Sequence, residues 1–186
     1  GNHRIVRYID EVFFGKISEM NSETLSAIRD SFREGVEKGE GISELTARLK
    51  RLPALSELRA EKIARTESTG AFNLGTHEAL TAANISHKRW LAAPETGRRD
   101  SPRRSHKEID EATAKTPIPM SDSFQVLGRD GAVRSILYPG DPEAPAFETV
   151  NCRCAIQPKA EKFAAYWAAV CEKELTRETT KAEGDK

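Results

Sequence analysis

The sequence predicts an α+β fold, in which helices, one of them long, come first and are followed by a small antiparallel sheet with long loops and a C-terminal helix. Two observations predict this order. Apolar residues recur every three or four positions as far as Ala83, whereas beyond it they alternate or form short runs between turn residues. The chain has 186 residues, which is enough for one domain with helical additions.

Four helices are expected in the first half, because four segments carry apolar residues at helical spacing. Asn21 or Ser22 should cap the second helix. Ser43 should cap the third, which places Ile42 on its apolar side, and Pro53 should stop it. The four segments are residues 5–14, 22–38, 43–52 and 56–83.

Short strands separated by turns are expected in the second half. Gly128 and Gly131 bracket a hairpin-type turn, and residues 94–119 are predicted to be mostly loop, with one helical turn at 107–114. An amphipathic helix over residues 159–175 and a polar tail should end the chain. The predicted strands are residues 85–91, 124–127, 133–138 and 152–157.

Composition argues against several classes of protein. Lys and Arg number 29 and Asp and Glu number 29, so the chain is not a polycation that coats nucleic acid or anionic lipid, although a local basic patch stays open. The longest apolar run, residues 163–171, is about half of what a bilayer requires, so no membrane partner is expected. Three cysteines, two of them one residue apart, argue against a disulfide scaffold and for a reducing compartment.

Glu67 is unusual because it falls near the centre of the apolar face of the longest helix. A carboxylate in such a place is costly unless it is paired or hydrogen-bonded. We therefore expect a partner for Glu67, either an arginine or backbone N–H groups from the second half of the chain. A structural pair is favoured over a catalytic acid. The apolar face comprises Ala60, Ile63, Ala64, Ala71 and Leu74.

A basic loop is a candidate for binding nucleic acid, since five cations within ten residues could contact phosphates. Asp100 is the only opposing charge, and no aromatic residue is interleaved. The alternatives are a solvated loop or a source of partners for Glu67 and other acids. The basic loop comprises Arg98, Arg99, Arg103, Arg104 and Lys107.

Cys152 and Cys154, together with the distant His106, are candidate zinc ligands. A closed structural site needs four ligands, and His77, His87 or an acid could complete the set. The alternative is two partly buried thiols beside a strand. A catalytic Cys–His pair is less favoured, because no third orienting group is identifiable. No cofactor is therefore expected, with zinc as the alternative.

Three segments stand in a characteristic order along the chain. The first is Ala64-Arg65-Thr66-Glu67 with Asn73 on the long helix, and the second is Trp90 followed by Asp100, Arg103, His106 and Ile109. The third is the rigid turn Tyr138-Pro139-Gly140-Asp141-Pro142 leading to Asn151-Cys152-Arg153-Cys154. Together they resemble the phage Mu protein F-like family. The resemblance divides the chain into a helical lead-in (1–55), a core domain (56–158) and a C-terminal helix and tail (159–186).

The resemblance implies a phage or prophage minor head protein that acts in head morphogenesis by binding, not by catalysis. It implies portal, capsid or scaffold proteins as partners, together with double-stranded DNA. It also implies a location in the virion or procapsid, and in the host cytoplasm during assembly. Two alternatives remain open: a nuclease or toxin-like enzyme in which Glu67, Arg103 and His106 cluster, and a zinc-containing nucleic-acid adaptor.

The sequence departs from the family pattern at one place. Arg103 and His106 stand where many relatives carry a Cys-x-x-Cys pair that, with Cys152 and Cys154, resembles a zinc site. Because arginine is not a metal ligand, we hypothesise that Arg103 or Arg104 pairs with Glu67, while His106 packs near the two cysteines. The predicted structural network comprises Arg65, Glu67, Asn73, Arg103, His106 and Asn151.

Overall fold

Helices form the first half of the chain and short strands most of the second. The computed structural model describes Ile9 and residues 21–94, 104–128 and 130–159. Within these residues the helices are α1 (Ser22–Glu37), α2 (Ile42–Leu49), α3 (Glu57–Ala82), α4 (Arg104–Lys115) and the single-turn α5 (Ala146–Thr149). The strands are β1 (His87–Leu91), β2 (Ile118–Pro119), β3 (Phe124–Leu127), β4 (Val133–Ile136) and β5 (Ala155–Pro158). The predicted α+β class is confirmed.

The first and the longest of these helices begin where capping residues predict. Asn21 precedes α1, and its Oδ1 accepts a hydrogen bond from the Thr24 N–H at 2.8 Å. Ser56 precedes α3, and its hydroxyl accepts from the Arg59 N–H at 3.3 Å. Each cap provides a partner for an N–H group that the helix itself leaves free.

Two details predicted for α2 were wrong. Gly41, not Ser43, is the N-cap residue, because the Glu44 carboxylate accepts a hydrogen bond from the Gly41 N–H at 2.6 Å and so fixes the start of the helix. Ile42 is 41% exposed and does not join the core. As the first residue of the helix, Ile42 lies at its solvent-exposed end, while Leu45 and Leu49 are buried.

The prediction that residues 94–119 are mostly loop was wrong in extent, since α4 covers twelve of them. The inner face of α4 is formed by His106 and Thr113, which are buried, and by Ile109. A histidine and a threonine at these positions leave no apolar stripe for a sequence analysis to detect. Strand β2 and helix α5, of two and four residues, were not predicted.

The strands form two small antiparallel sheets. In the first, β1 lies between β2 and β5, and Trp90 of β1 stands opposite Ile156 of β5. In the second, β3 and β4 form a hairpin in which Phe124 stands opposite Ile136. Gly131, in the hairpin turn, has a φ of +78°, which a residue with a Cβ rarely adopts.

Helix α3 connects two hydrophobic cores, and Leu74 packs against both. The first core lies between α1, α2 and α3, and comprises Ile9, Ile28, Phe32, Leu45, Leu49, Leu55, Ala60, Ile63, Ala64 and Ala71. The second lies under the strands, and comprises Trp90, Phe124, Val126, Ile136, Tyr138, Ala144, Cys152, Cys154 and Ile156.

Several predicted segments lie outside the described residues. They are the helix over 5–14 apart from Ile9, the helix over 159–175 apart from its first residue, the polar tail, and most of the basic loop. Among the helices that the structure describes, none combines the length and the apolar character required to cross a bilayer.

Candidate functional site

Four polar side chains on one side of α3 hold residues 151–156, and we call these four the clamp: Arg65, Thr66, Thr69 and Asn73. Their spacing places them on adjacent turns of one helical face. The Thr69 hydroxyl donates a hydrogen bond to the Cys152 carbonyl at 2.9 Å. The clamp therefore fixes the segment that contains both candidate cysteine ligands.

Asn73 is fully buried and contacts the strand that follows Cys154. Its Nδ2 donates to the Cys154 carbonyl at 2.9 Å, and its Oδ1 accepts from the Ile156 N–H at 3.0 Å. Because β5 is at the edge of the sheet among the described residues, these are hydrogen bonds that a further strand would otherwise supply. The Asn73 amide thus caps the open edge of the sheet.

Asn151 lies at the start of the clamped segment in a left-handed conformation, with a φ of +62°. Asparagine tolerates this conformation better than most residues. Its side-chain oxygen accepts a hydrogen bond from Arg65 Nη1 at 2.8 Å, and its N–H donates to the Thr66 hydroxyl at 2.9 Å. The Arg65 guanidinium is held in turn by Glu61, at 2.5 Å. These contacts stabilise the turn that directs the chain toward Cys152.

The turn over residues 138–142 packs directly on the backbone of α3. Gly140 has a φ of +86°, and a Cβ at this position would lie 2.8 Å from the Gly70 Cα. The Asp141 carboxylate closes the turn by accepting hydrogen bonds from the Leu137 N–H at 2.8 Å and the Glu143 N–H at 3.0 Å. Glycine is required here both for the conformation and for the close approach.

His106, Cys152 and Cys154 converge in the second core, although 46 residues separate the histidine from the nearer cysteine. The His106 Nδ1 lies 3.4 Å from the Cys154 Sγ and 3.7 Å from the Cys152 Sγ. None of the three residues is more than 3% exposed. The Trp90 ring packs against the imidazole, with 4.9 Å between ring centroids. Helix α4 provides the histidine, and the segment before β5 provides both thiols.

Glu148 completes this group, and the sequence analysis missed it. Its Oε2 lies 2.9 Å from the His106 Nε2, and it is 3% exposed. The Nε2 faces this carboxylate, and the Nδ1 is the ring nitrogen that faces the two sulfurs. Glu148 is thus the orienting group that the sequence analysis could not identify. We call His106, Glu148, Cys152 and Cys154 the thiol–imidazole cluster.

Several donors act on the two sulfur atoms. A hydrogen bond from Cys152 is the main cause that lowers the pKa of Cys154 to about 4. Burial opposes this shift, while His106 and the Ala93 N–H favour the thiolate. The Cys154 N–H lies 3.4 Å from the Cys152 Sγ. The cluster therefore stabilises negative charge on sulfur within the core.

The donor atoms of the cluster fit a zinc ion. The His106 Nδ1 and the two Sγ atoms all lie within 4.8 Å of one another. In a tetrahedral site with bonds of about 2.3 Å to sulfur and about 2.05 Å to nitrogen, nitrogen and sulfur ligands are roughly 3.6 Å apart. The observed 3.4 and 3.7 Å bracket that separation. Within the ranges that the structure describes, no fourth His, Cys, Asp or Glu side chain joins the group.

The two histidines proposed as further ligands lie elsewhere. The His77 Nε2 lies 3.1 Å from the Met120 carbonyl oxygen, and the ring packs against Tyr138. His87 is on β1 and does not belong to the group of possible metal ligands. Of the possible fourth ligands, neither His77 nor His87 therefore completes the set in the geometry that the structure describes.

The remaining predicted residues are only partly covered by the structure. Glu67 is buried, at 8% exposure, on the inner face of α3. Arg103, its hypothesised partner, lies outside the described residues, and so does the side chain of Arg104. Lys107 is half-buried on α4. Arg98 and Arg99 also lie outside the described residues, so the pairing of Glu67 with an arginine stays a prediction.

Comparison with known proteins identifies the family of this chain. The family described as Phage Mu protein F like protein matches residues 26–157. This chain belongs to that family. The matched region of this Mu F-like protein contains the clamp and the thiol–imidazole cluster, which together include described residues from all three characteristic segments. The clamp joins the first segment to the third, and His106 links the second segment to the third.

One curated relative of this Mu F-like protein comes from Bacillus subtilis (strain 168) and is named "Uncharacterized protein YqbB". It is 26% identical over 159 residues, which are 84% of this chain and 49% of the relative. The chain thus spans about half the length of the curated relative it matches. No solved structure matches the chain significantly.

Proposed function

We propose that this Mu F-like protein is a minor head protein that acts in phage or prophage head morphogenesis, in the virion or procapsid, by binding portal or capsid components. The family match over residues 26–157 carries the proposal. The clamp hydrogen bonds support it, because they join α3, in the first half of that region, to the end of the region. Such a region suits a stable assembly component.

Binding is favoured over catalysis by the surroundings of the polar groups. Clamp side chains bond to the protein's own backbone, and the cluster is too deeply buried for a macromolecular substrate to reach. A nuclease that uses Mg²⁺ needs oxygen ligands, whereas the group of three possible metal ligands found among the described residues consists of two thiols and an imidazole.

A small apolar surface at the end of the β3–β4 hairpin is our proposed contact for a head component. Leu127 and Val133 stand opposite each other, at 51% and 61% exposure. A pair of adjacent exposed apolar side chains can be covered by a partner at little cost in desolvation. Double-stranded DNA is proposed as a second partner, through the basic loop.

Co-purification tests the proposal. The chain is co-expressed with the portal protein, and separately with the major capsid protein, of the same phage genome. We expect a complex with the portal or the capsid protein that survives size-exclusion chromatography and is lost in Leu127→Ser/Val133→Ser. Leu58→Ser is the matched control, because Leu58 is 77% exposed on α3, away from the hairpin.

The outcomes separate the two parts of the proposal. A complex that survives the hairpin substitutions would exclude the hairpin as the contact but would leave the assembly role standing. A wild-type chain that binds neither protein, and whose loss leaves head assembly unchanged, would contradict the assembly role itself.

A further inference from the structure

We propose that His106, Cys152 and Cys154 bind a zinc ion, with Glu148 as the outer carboxylate that orients the histidine. The inference does not depend on the proposed role in head assembly. It is carried by the convergence of two thiols and one imidazole nitrogen from separate elements, in a core where none of the three is more than 3% exposed.

The direction of the imidazole supports metal binding over a thiol–imidazole catalytic pair. A catalytic pair needs one nucleophile beside the base. Here both sulfurs lie within 3.7 Å of the same nitrogen, and neither is open to solvent. The opposite nitrogen bonds to a buried carboxylate, which is the usual outer contact of a metal-bound histidine, since it fixes the tautomer and the ring orientation.

The surroundings of the sulfur atoms point the same way. The Cys154 N–H lies 3.4 Å from the Cys152 Sγ, and the Ala93 N–H bonds to the Cys154 sulfur. Backbone N–H groups directed at sulfur favour the thiolate, which is the form that binds metals.

The chemistry of the donor set selects zinc. Thiolate and imidazole are soft and intermediate ligands that suit Zn²⁺, whereas Mg²⁺ and Ca²⁺ require oxygen ligands. Iron–sulfur clusters usually require about four cysteine ligands, and this group has two. The three side chains leave one coordination position for water or for a further ligand.

The positions of the three ligands imply a structural role for a bound ion. His106 belongs to the first turns of α4, and the two cysteines precede β5, which the clamp holds on α3. A bound ion would therefore join α4 to α3. Because Arg104 and Lys107 flank His106 in sequence, the ion would also fix the end of the basic loop relative to the rest of the fold.

Zinc content of the purified full chain is the first test. The protein is produced in zinc-supplemented medium, kept reduced, dialysed against metal-free buffer, and measured by inductively coupled plasma mass spectrometry. We expect about one zinc per chain. In a competition titration with a zinc chelator, the Glu148→Gln variant should bind zinc about 10–100-fold more weakly than the wild type. Cys152→Ser/Cys154→Ser should lose the metal, while Cys171→Ser, which changes the remaining cysteine, should keep it.

Cobalt substitution provides a readout that does not depend on how the variants fold. Co²⁺ added to metal-free wild-type protein should produce a thiolate-to-cobalt charge-transfer band that added Zn²⁺ abolishes. The band should persist in Cys171→Ser. Wild-type protein with neither bound zinc nor a cobalt band would overturn the proposal, and so would a Cys152→Ser/Cys154→Ser variant that binds as much zinc as the wild type.

Discussion

Asn73→Ala should strongly destabilise the protein, because Asn73 joins α3 to the edge of the sheet. Its amide contacts the Cys154 carbonyl at 2.9 Å and the Ile156 N–H at 3.0 Å. Cys154 and Ile156 are 3% and 5% exposed. Alanine cannot form either hydrogen bond, so the substitution leaves one acceptor and one donor without this partner in the core.

The magnitude follows from these two groups. Each buried group that loses its partner costs about 1–3 kcal/mol in the free energy of unfolding. The third hydrogen bond of Asn73, to the Thr69 carbonyl at 3.0 Å, matters less, because that carbonyl also serves the helix backbone. The better helix propensity of alanine offsets about 0.5 kcal/mol. The expected net loss is about 2–5 kcal/mol.

Urea denaturation followed by far-UV circular dichroism measures this loss. Thr76→Ala is the matched control on the same helix, because the Thr76 hydroxyl donates only within α3, to the Phe72 carbonyl at 2.8 Å. The control should change the free energy of unfolding by less than about 0.5 kcal/mol. An Asn73→Ala protein as stable as the Thr76→Ala protein would refute the clamp as a stabilising contact.

Three further predictions concern the turn, a buried lysine and the basic loop. Gly140→Ala should cost about 1–3 kcal/mol, because of its positive φ and the close α3 backbone. Gly75→Ala should stabilise the protein by about 0.5–1 kcal/mol, because a Cβ at this position in α3 meets open space. Equal effects of the two substitutions on the free energy of unfolding would contradict this reasoning. Burial lowers the pKa of Lys88 to about 8 from 10.5. Between pH 8 and 10.5 the unfolded state therefore binds more protons than the folded state. The free energy of unfolding, measured by denaturation, should rise across this range by up to about 3 kcal/mol relative to Lys88→Met. Parallel pH profiles for the two proteins would exclude this. Linear double-stranded DNA should shift on native gels in a salt-dependent way, and Arg103→Glu/Arg104→Glu should abolish the shift; an unshifted wild-type band at low salt would exclude DNA as a partner.

The sequence predicts α3 well and α4 poorly, and the reason lies in their inner faces. Helix α3 has a capping serine and a buried face that is small or apolar apart from Glu67 and Asn73, so both its start and its length can be predicted. Helix α4 packs through His106 and Thr113, whose burial depends on partners from other elements. The Trp90 N–H, for example, donates to the Thr113 hydroxyl at 3.0 Å. Such tertiary contacts leave no periodic apolar signal.

The site was partly predictable for the same reason. Residue types identify His106, Cys152 and Cys154 as possible ligands, but their distances depend on the packing of α4 against β1. Glu148 lies in a single-turn helix with no periodic pattern, so nothing in the sequence indicates that it faces His106. Thr69 could have been identified, because it lies four residues before Asn73 on the same face of α3.

The most direct test of the proposed head role is to measure this protein in purified heads. Quantitative mass spectrometry would be applied to procapsids and mature heads from the phage that encodes the chain, and to heads from a deletion strain. We predict a copy number close to that of the portal protein and far below that of the major capsid protein, with defective heads in the deletion strain. Absence from both particles, together with normal heads in the deletion strain, would contradict the account.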